Sequence, residues 1–169
     1  MGLHATIDIS ADWGFPAVTP YYGIPVDYSA AISAFCDTFM SKSTELVPVD
    51  TGYLRSTINA SGSGTLITAD VDAEYAEYVE YGTWKMLAQP YFEPAFAEAS
   101  QVAYNVAYQI YQQAQEAEAQ QRASDLQSQG MSMISSGNIF MDLFMIFLQA
   151  LAMTVIELIQ RLFSMEDDD

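Results

Sequence analysis

The stretch Thr65-Leu66-Ile67-Thr68-Ala69-Asp70-Val71-Asp72 decides the fold. Ile67, Ala69 and Val71 alternate with Leu66, Thr68, Asp70 and Asp72, the two-residue period of a strand that turns one face to a core. Residues 53–61 form a β-like partner segment, and Gly62-Ser63-Gly64 between the two reads as the turn of a hairpin.

Upstream of the hairpin, the run Tyr28 to Leu46 sets Ala31, Ile32, Phe35, Cys36, Phe39 and Met40 at spacings of three and four, with Asp27 as a candidate N-cap. This predicts an amphipathic helix, stopped by Pro48. Asp50-Thr51-Gly52 then reads as a turn in which the Asp side chain bonds nearby amides. Downstream, Tyr75 to Tyr81 is a short helical turn or strand, broken by Gly82-Thr83. Pro90 and Pro94 mark the start of a long helix, Glu93 and Glu98 suit the positive end of its dipole, and neither Gly nor Pro interrupts Ala95 to Gln129. Its apolar face is expected through Phe96, Val102, Ala103, Val106 and Ile110, beside a stripe of Tyr104, Tyr108 and Tyr111. The fold class is therefore α+β: a small antiparallel sheet packed by an N-terminal helix and a long helix, with a hydrophobic C-terminal helix appended.

Composition divides the rest. Residues 1–26, with a short strand over 5–9 and then Pro16, Pro20 and Pro25, form an N-terminal arm; 27–128 is the core domain, 129–138 a Ser/Gly linker, 139–165 the hydrophobic helix and 166–169 an acidic tail. In the hydrophobic helix, Phe140, Phe144, Phe147, Leu148, Leu151, Val155, Leu158 and Leu162 are candidate interaction residues. Between Asp142 and Glu157 lie 14 uncharged residues, short of the roughly 20 that a bilayer span requires. A helix buried among protein neighbours is the expectation.

The chain has 22 Asp and Glu against five Lys and Arg, a formal net charge of -17. Lys42, Arg55, Lys85, Arg122 and Arg161 are too few and too scattered to neutralise phosphates, so sequence-specific nucleic-acid binding is not expected. An acidic surface suits a protein that borders a path for DNA or docks on a basic partner. Catalytic candidates are scarce. His4 is the sole histidine and Cys36 the sole cysteine, which leaves no triad and no zinc set. Gly62-Ser63-Gly64 lacks the Lys of a phosphate loop. Asp70, Asp72, Glu74, Glu77 and Glu80 match no EF-hand spacing and read as a solvated face, with Arg55 a partner for Glu77 or Glu80. No enzyme, metal or cofactor is expected, nor a secretory signal at Met1-Gly2-Leu3-His4.

Three ordered motifs carry a resemblance: Val49-Asp50-Thr51-Gly52-Tyr53-Leu54-Arg55-Ser56-Thr57-Ile58, then Tyr75-Ala76-Glu77-Tyr78-Val79-Glu80-Tyr81-Gly82-Thr83, then Gln89-Pro90-Tyr91-Phe92-Glu93-Pro94-Ala95. In order and spacing the chain resembles the HK97-type tail-component, or neck and tail-completion, family of tailed phages over about residues 28–112. The resemblance implies a hairpin between two helices and assembly as a ring near the head-tail interface. It also implies copies of the chain, the portal, adaptor or head-closure proteins and tail proteins as partners, in a virion assembled in the host cytoplasm. Asp50, Thr51, Gly52, Leu54, Arg55, Tyr75, Tyr78, Glu80, Gly82, Thr83, Gln89, Pro90 and Pro94 are then determinants of fold and assembly. Thr57 departs from the family's Ser, and the aromatic arm and the helix after 138 are additions to it. The alternative, from a different class, is a membrane-associated protein that inserts the C-terminal helix.

Overall fold

The computed structural model describes residues 2–135 and 143–152, with side-chain burial beyond residue 131 described only over 143–152. The chain divides into two compact units, Met1–Glu118 and Ala119–Asp169.

The first unit is mixed α+β. Strand β1 (Leu3–Asp8) is followed by helix α1 (Ser29–Leu46), a single turn α2 (Tyr53–Ser56), strands β2 (Ile58–Ser63) and β3 (Leu66–Val71), helix α3 (Ala76–Tyr81) and the start of helix α4 (Phe92–Ser135). β3 is the central strand, antiparallel to β1 on one side and β2 on the other. Its alternation has the expected consequence: Ile67, Ala69 and Val71 are buried, aligned with Ile7, Ala5 and Leu3 on β1. β1 is the arm's contribution. Residues 3–8 are thus part of the sheet of the core, which begins well before residue 27. The segment after it is ordered too, closed by Thr19 N–H to the Ile24 carbonyl (2.8 Å) and Val26 N–H to the Ala17 carbonyl (2.9 Å).

α1 buries Ala31, Ile32, Phe35 and Phe39, while Cys36 and Met40 stay half-buried. Burial also pushes the Cys36 thiol up, with the neighbouring Asp37 charge adding to the effect, so it stays protonated at neutral pH. Asp27 accepts from Ser29 N–H at 2.9 Å, although the helix itself is entered from Tyr28. Phe35 meets Phe96 edge-to-face with centroids 5.4 Å apart, and Phe39 meets Phe92 at 5.3 Å. Such pairs add about 0.5–1.5 kcal/mol each beyond area burial. Lys42 adds a half-exposed ion pair to Glu98 at 3.5 Å.

α4 differs from expectation in its face. The fully buried positions are Ala95, Ala99, Ala103 and Ala107, one every four residues, whereas Phe96, Val106 and Ile110 are half-buried and Val102 is exposed. Small side chains let the helix backbone come close to the core, and the larger ones flank that line of contact. The segment 53–56 also differs, being helical where a strand was expected. The hairpin turn is the two residues Gly64-Thr65, since Ser63 already pairs with Leu66.

In the second unit, α4 runs through Gly130 to Ser135, where a linker was expected at 129–138. One Gly in a helix costs about 1 kcal/mol and does not end it. Residues 143–152 are helical, and all of them are exposed, Leu143, Phe144, Met145, Ile146, Phe147, Leu148 and Leu151 included. Phe140, Val155, Leu158 and Leu162, like residues 136–138 and the 166–169 tail, lie outside the described residues. Among the described residues no helix is long and apolar enough to cross a membrane.

Candidate functional site

Gly52 sits at a φ of 80°, a left-handed conformation that Gly adopts without a side-chain penalty, and the chain turns there from the Pro48–Asp50 segment into α2. The turn is braced by Thr51, whose hydroxyl accepts from Tyr53 N–H at 3.4 Å. The Asp50 carboxylate, expected to bond nearby amides, makes no hydrogen bond among the described residues and stands exposed. Leu54 points inward and is buried; Arg55 points out and forms no ion pair among the described residues. The Arg55 pairing with Glu77 or Glu80 is thus replaced by another arrangement.

Glu80 is 2% exposed and caps the start of α4. Its Oε2 accepts from Tyr91 and Phe92 N–H, both at 2.8 Å, and its Oε1 from Glu93 N–H at 2.9 Å. These amides have no partner within the helix, and the positive end of the helix dipole faces the carboxylate. Tyr91 lies fully buried beside it, its hydroxyl without a hydrogen-bond partner among the described residues and its pKa pushed well up by burial and then by the Glu80 charge. Tyr81 donates to Glu93 at 3.0 Å, and that bond raises its own pKa.

Gly82 follows at φ 75° and ψ 179°. It leads into a narrow tip, Thr83–Met86, closed by Thr83 N–H to the Met86 carbonyl (2.8 Å) and Met86 N–H to the Thr83 carbonyl (3.2 Å). Gln89 N–H then bonds the Val79 carbonyl at 2.9 Å, which returns the chain to α3 ahead of Pro90.

These local arrangements bring the three motifs together. A groove of about 650 Å³ is lined by Val49 to Leu54 from the first, Tyr75 and Val79 from the second and Gln89 from the third, with Pro48 and Met86 completing the wall. Asp50, Thr51, Gly52, Leu54, Tyr75 and Gln89 thus share one site. Arg55, Tyr78, Glu80, Gly82, Thr83, Pro90 and Pro94 do not line it. Among the aromatic side chains of these segments, Tyr91 and Phe92 are core, while Tyr53, Tyr75, Tyr78, Tyr81 and Trp84 are exposed. Tyr53 and Tyr75 lie with ring centroids 6.3 Å apart. The site offers apolar and aromatic surface with a free carboxylate at its edge, the chemistry of a protein contact. Among the described residues no three His, Cys, Asp or Glu side chains converge as metal ligands.

The tyrosine stripe of α4 packs against the chain's own arm. Trp13 packs edge-on against Tyr104 at 5.6 Å, and Phe15 touches Tyr104, Tyr108 and Tyr111. Glu118 fixes the arm further along: its Oε1 accepts from the Thr19 hydroxyl (2.5 Å), Tyr21 N–H (3.0 Å) and Tyr22 N–H (2.6 Å). Nothing in the sequence signals this buried carboxylate, one Glu in a Gln/Ala/Glu-rich helix. Comparison with protein-family models, curated proteins and solved structures found no match.

Proposed function

We propose that this chain is a non-enzymatic structural subunit of a tailed-phage particle, forming a ring at the head-tail joint in a neck, tail-completion or tail-terminator position and linking the connector to the tail. One observation carries the reading: three motif segments, spread over residues 48–89, meet at one exposed groove ringed by aromatic side chains. Such convergence is what an assembly surface requires, and it supports the resemblance of these ordered motifs to those of HK97-type tail components. The α+β fold, with a hairpin between two helices, agrees with that resemblance.

Two further features support it. The helix over 143–152 exposes apolar side chains on every side, more contiguous surface than a solitary subunit tolerates, so copies of the chain or the portal, adaptor and tail proteins are its natural cover. The net charge of -17 suits the wall of a passage that DNA must traverse without adhering. The mechanism is passive: subunits join laterally, and the apolar helix buries its surface against neighbours within the virion. Mass spectrometry of purified particles from the phage encoding the chain tests this. The expectation is a stoichiometry of one ring per particle; particles that are complete and lack the chain contradict it.

A further inference from the structure

The Thr83–Met86 tip carries the most exposed large apolar residues of the described chain. Trp84 is 90% exposed and Leu87, just beyond the tip, 88%. Among the described residues, Trp84 is neither part of the groove of its own subunit nor packed on another ring; Lys85 Nζ lies over it, 4.5 Å from the ring centroid. A tryptophan held this far out on a closed two-bond turn is an anchor without its socket, and Trp is the side chain that most often dominates an interface when it finds one. The socket is beside it. At about 650 Å³ the groove falls within the range of pockets, about 300–1,000 Å³, that engulf ligands larger than an indole, and Val49, Tyr53 and Tyr75 give it an apolar, aromatic lining.

Charge names the occupant. The net charge of -17 sets copies against each other, so the attraction must be local, and Lys85 is one of five cations in the chain. Among the described residues it sits at the tip with no ion pair, and Asp50 sits on the groove wall with no hydrogen bond. We propose that the Trp84 tip docks into the Asp50 groove of a second copy of this chain, with Lys85 meeting Asp50 across the contact. Met86 forms the base of the tip and also part of the groove wall, so knob and socket adjoin on one face. Tyr78 and Tyr81, exposed on α3 next to the tip, widen the contact. This pairing does not depend on the position proposed in the particle.

Thiol cross-linking of the full chain in a Cys36→Ser background tests it. Asp50→Cys chains mixed with Lys85→Cys chains and oxidised should give covalent dimers, at least about tenfold above a Gln101→Cys and Lys85→Cys mixture. Adding Trp84→Ala to the Lys85→Cys chain should lower the yield about tenfold or more, as loss of an interface anchor does. In sedimentation of chains without added cysteines, Lys85→Glu should weaken self-association and Lys85→Glu with Asp50→Lys in one chain should restore it. A yield no better than the Gln101 control, or one that Trp84→Ala leaves unchanged, overturns the proposal. The particle reading would survive that outcome, because particles test it separately.

Discussion

Replacing Glu80 with Gln removes a buried anion from the start of α4 and changes almost nothing else in shape. In the parent chain two carboxylate oxygens take three amides at 2.8–2.9 Å, two of them from the buried residues Tyr91 and Phe92. Gln keeps one acceptor oxygen and turns an NH2 group toward at least one amide donor. The loss is one or two charge-assisted hydrogen bonds plus an unpaired buried N–H, about 2 kcal/mol; Glu80→Ala, which strands all three amides, costs about 3–5 kcal/mol. For a chain of this length about 1 kcal/mol moves Tm by about 2–4 °C, so Glu80→Gln should melt about 4–8 °C below the parent. Thermal and urea unfolding followed by far-ultraviolet circular dichroism read both variants. A Glu80→Gln chain within about 0.5 kcal/mol of the parent refutes the capping role.

The two motif glycines should respond differently. At Gly82 an added Cβ would lie 2.6 Å from the Ala88 nitrogen and 2.9 Å from the Met86 oxygen, at positive φ, so Gly82→Ala should cost about 2–4 kcal/mol in urea unfolding. Gly52→Ala, at positive φ with open space around it, should cost only about 1–2 kcal/mol. Glu118→Ala frees the Thr19–Tyr22 segment, and chymotrypsin should then cut after Tyr21 or Tyr22 about tenfold faster or more, read by mass spectrometry; an unchanged rate contradicts the tether. Asp8 is held below the ordinary carboxylate value of 3.8 chiefly by the Ser10 hydroxyl and then the Ser10 amide. Its folded-state pKa being the lower, its stabilisation is complete above about pH 4 and fades as pH falls through the folded value, so Asp8→Asn should flatten the acid limb of the stability profile below about pH 4.

The alternation of Ile67, Ala69 and Val71 and the stripe through Phe35 and Phe39 were legible because each follows one period and buries one face. Tyr53–Ser56 was not: its composition suits a strand, but the left-handed turn at Gly52 sets the chain into a helical turn before β2 can start. On α4 the sequence favours its large apolar side chains as the core face, whereas close approach selects the alanines, a choice made by the neighbouring elements rather than by the helix. The motif residues were visible as a pattern, and the meeting of Asp50, Thr51, Gly52, Leu54, Tyr75 and Gln89 at one groove was not, since that depends on how the chain folds between residues 56 and 75. Glu80 was singled out but given Arg55 as its partner, whereas it accepts from the amides of Tyr91, Phe92 and Glu93. A carboxylate 12 residues ahead of a helix start has no local signature as its cap, and the amides that hold it belong to the backbone, where sequence is silent.

Disrupting the gene in the phage that encodes the chain, then imaging the lysate by negative-stain electron microscopy, tests the proposed role most directly. Filled heads and separate tails that fail to join, rescued when the purified chain is added, are the predicted result. Normal, infectious, fully joined particles made without the chain would contradict it.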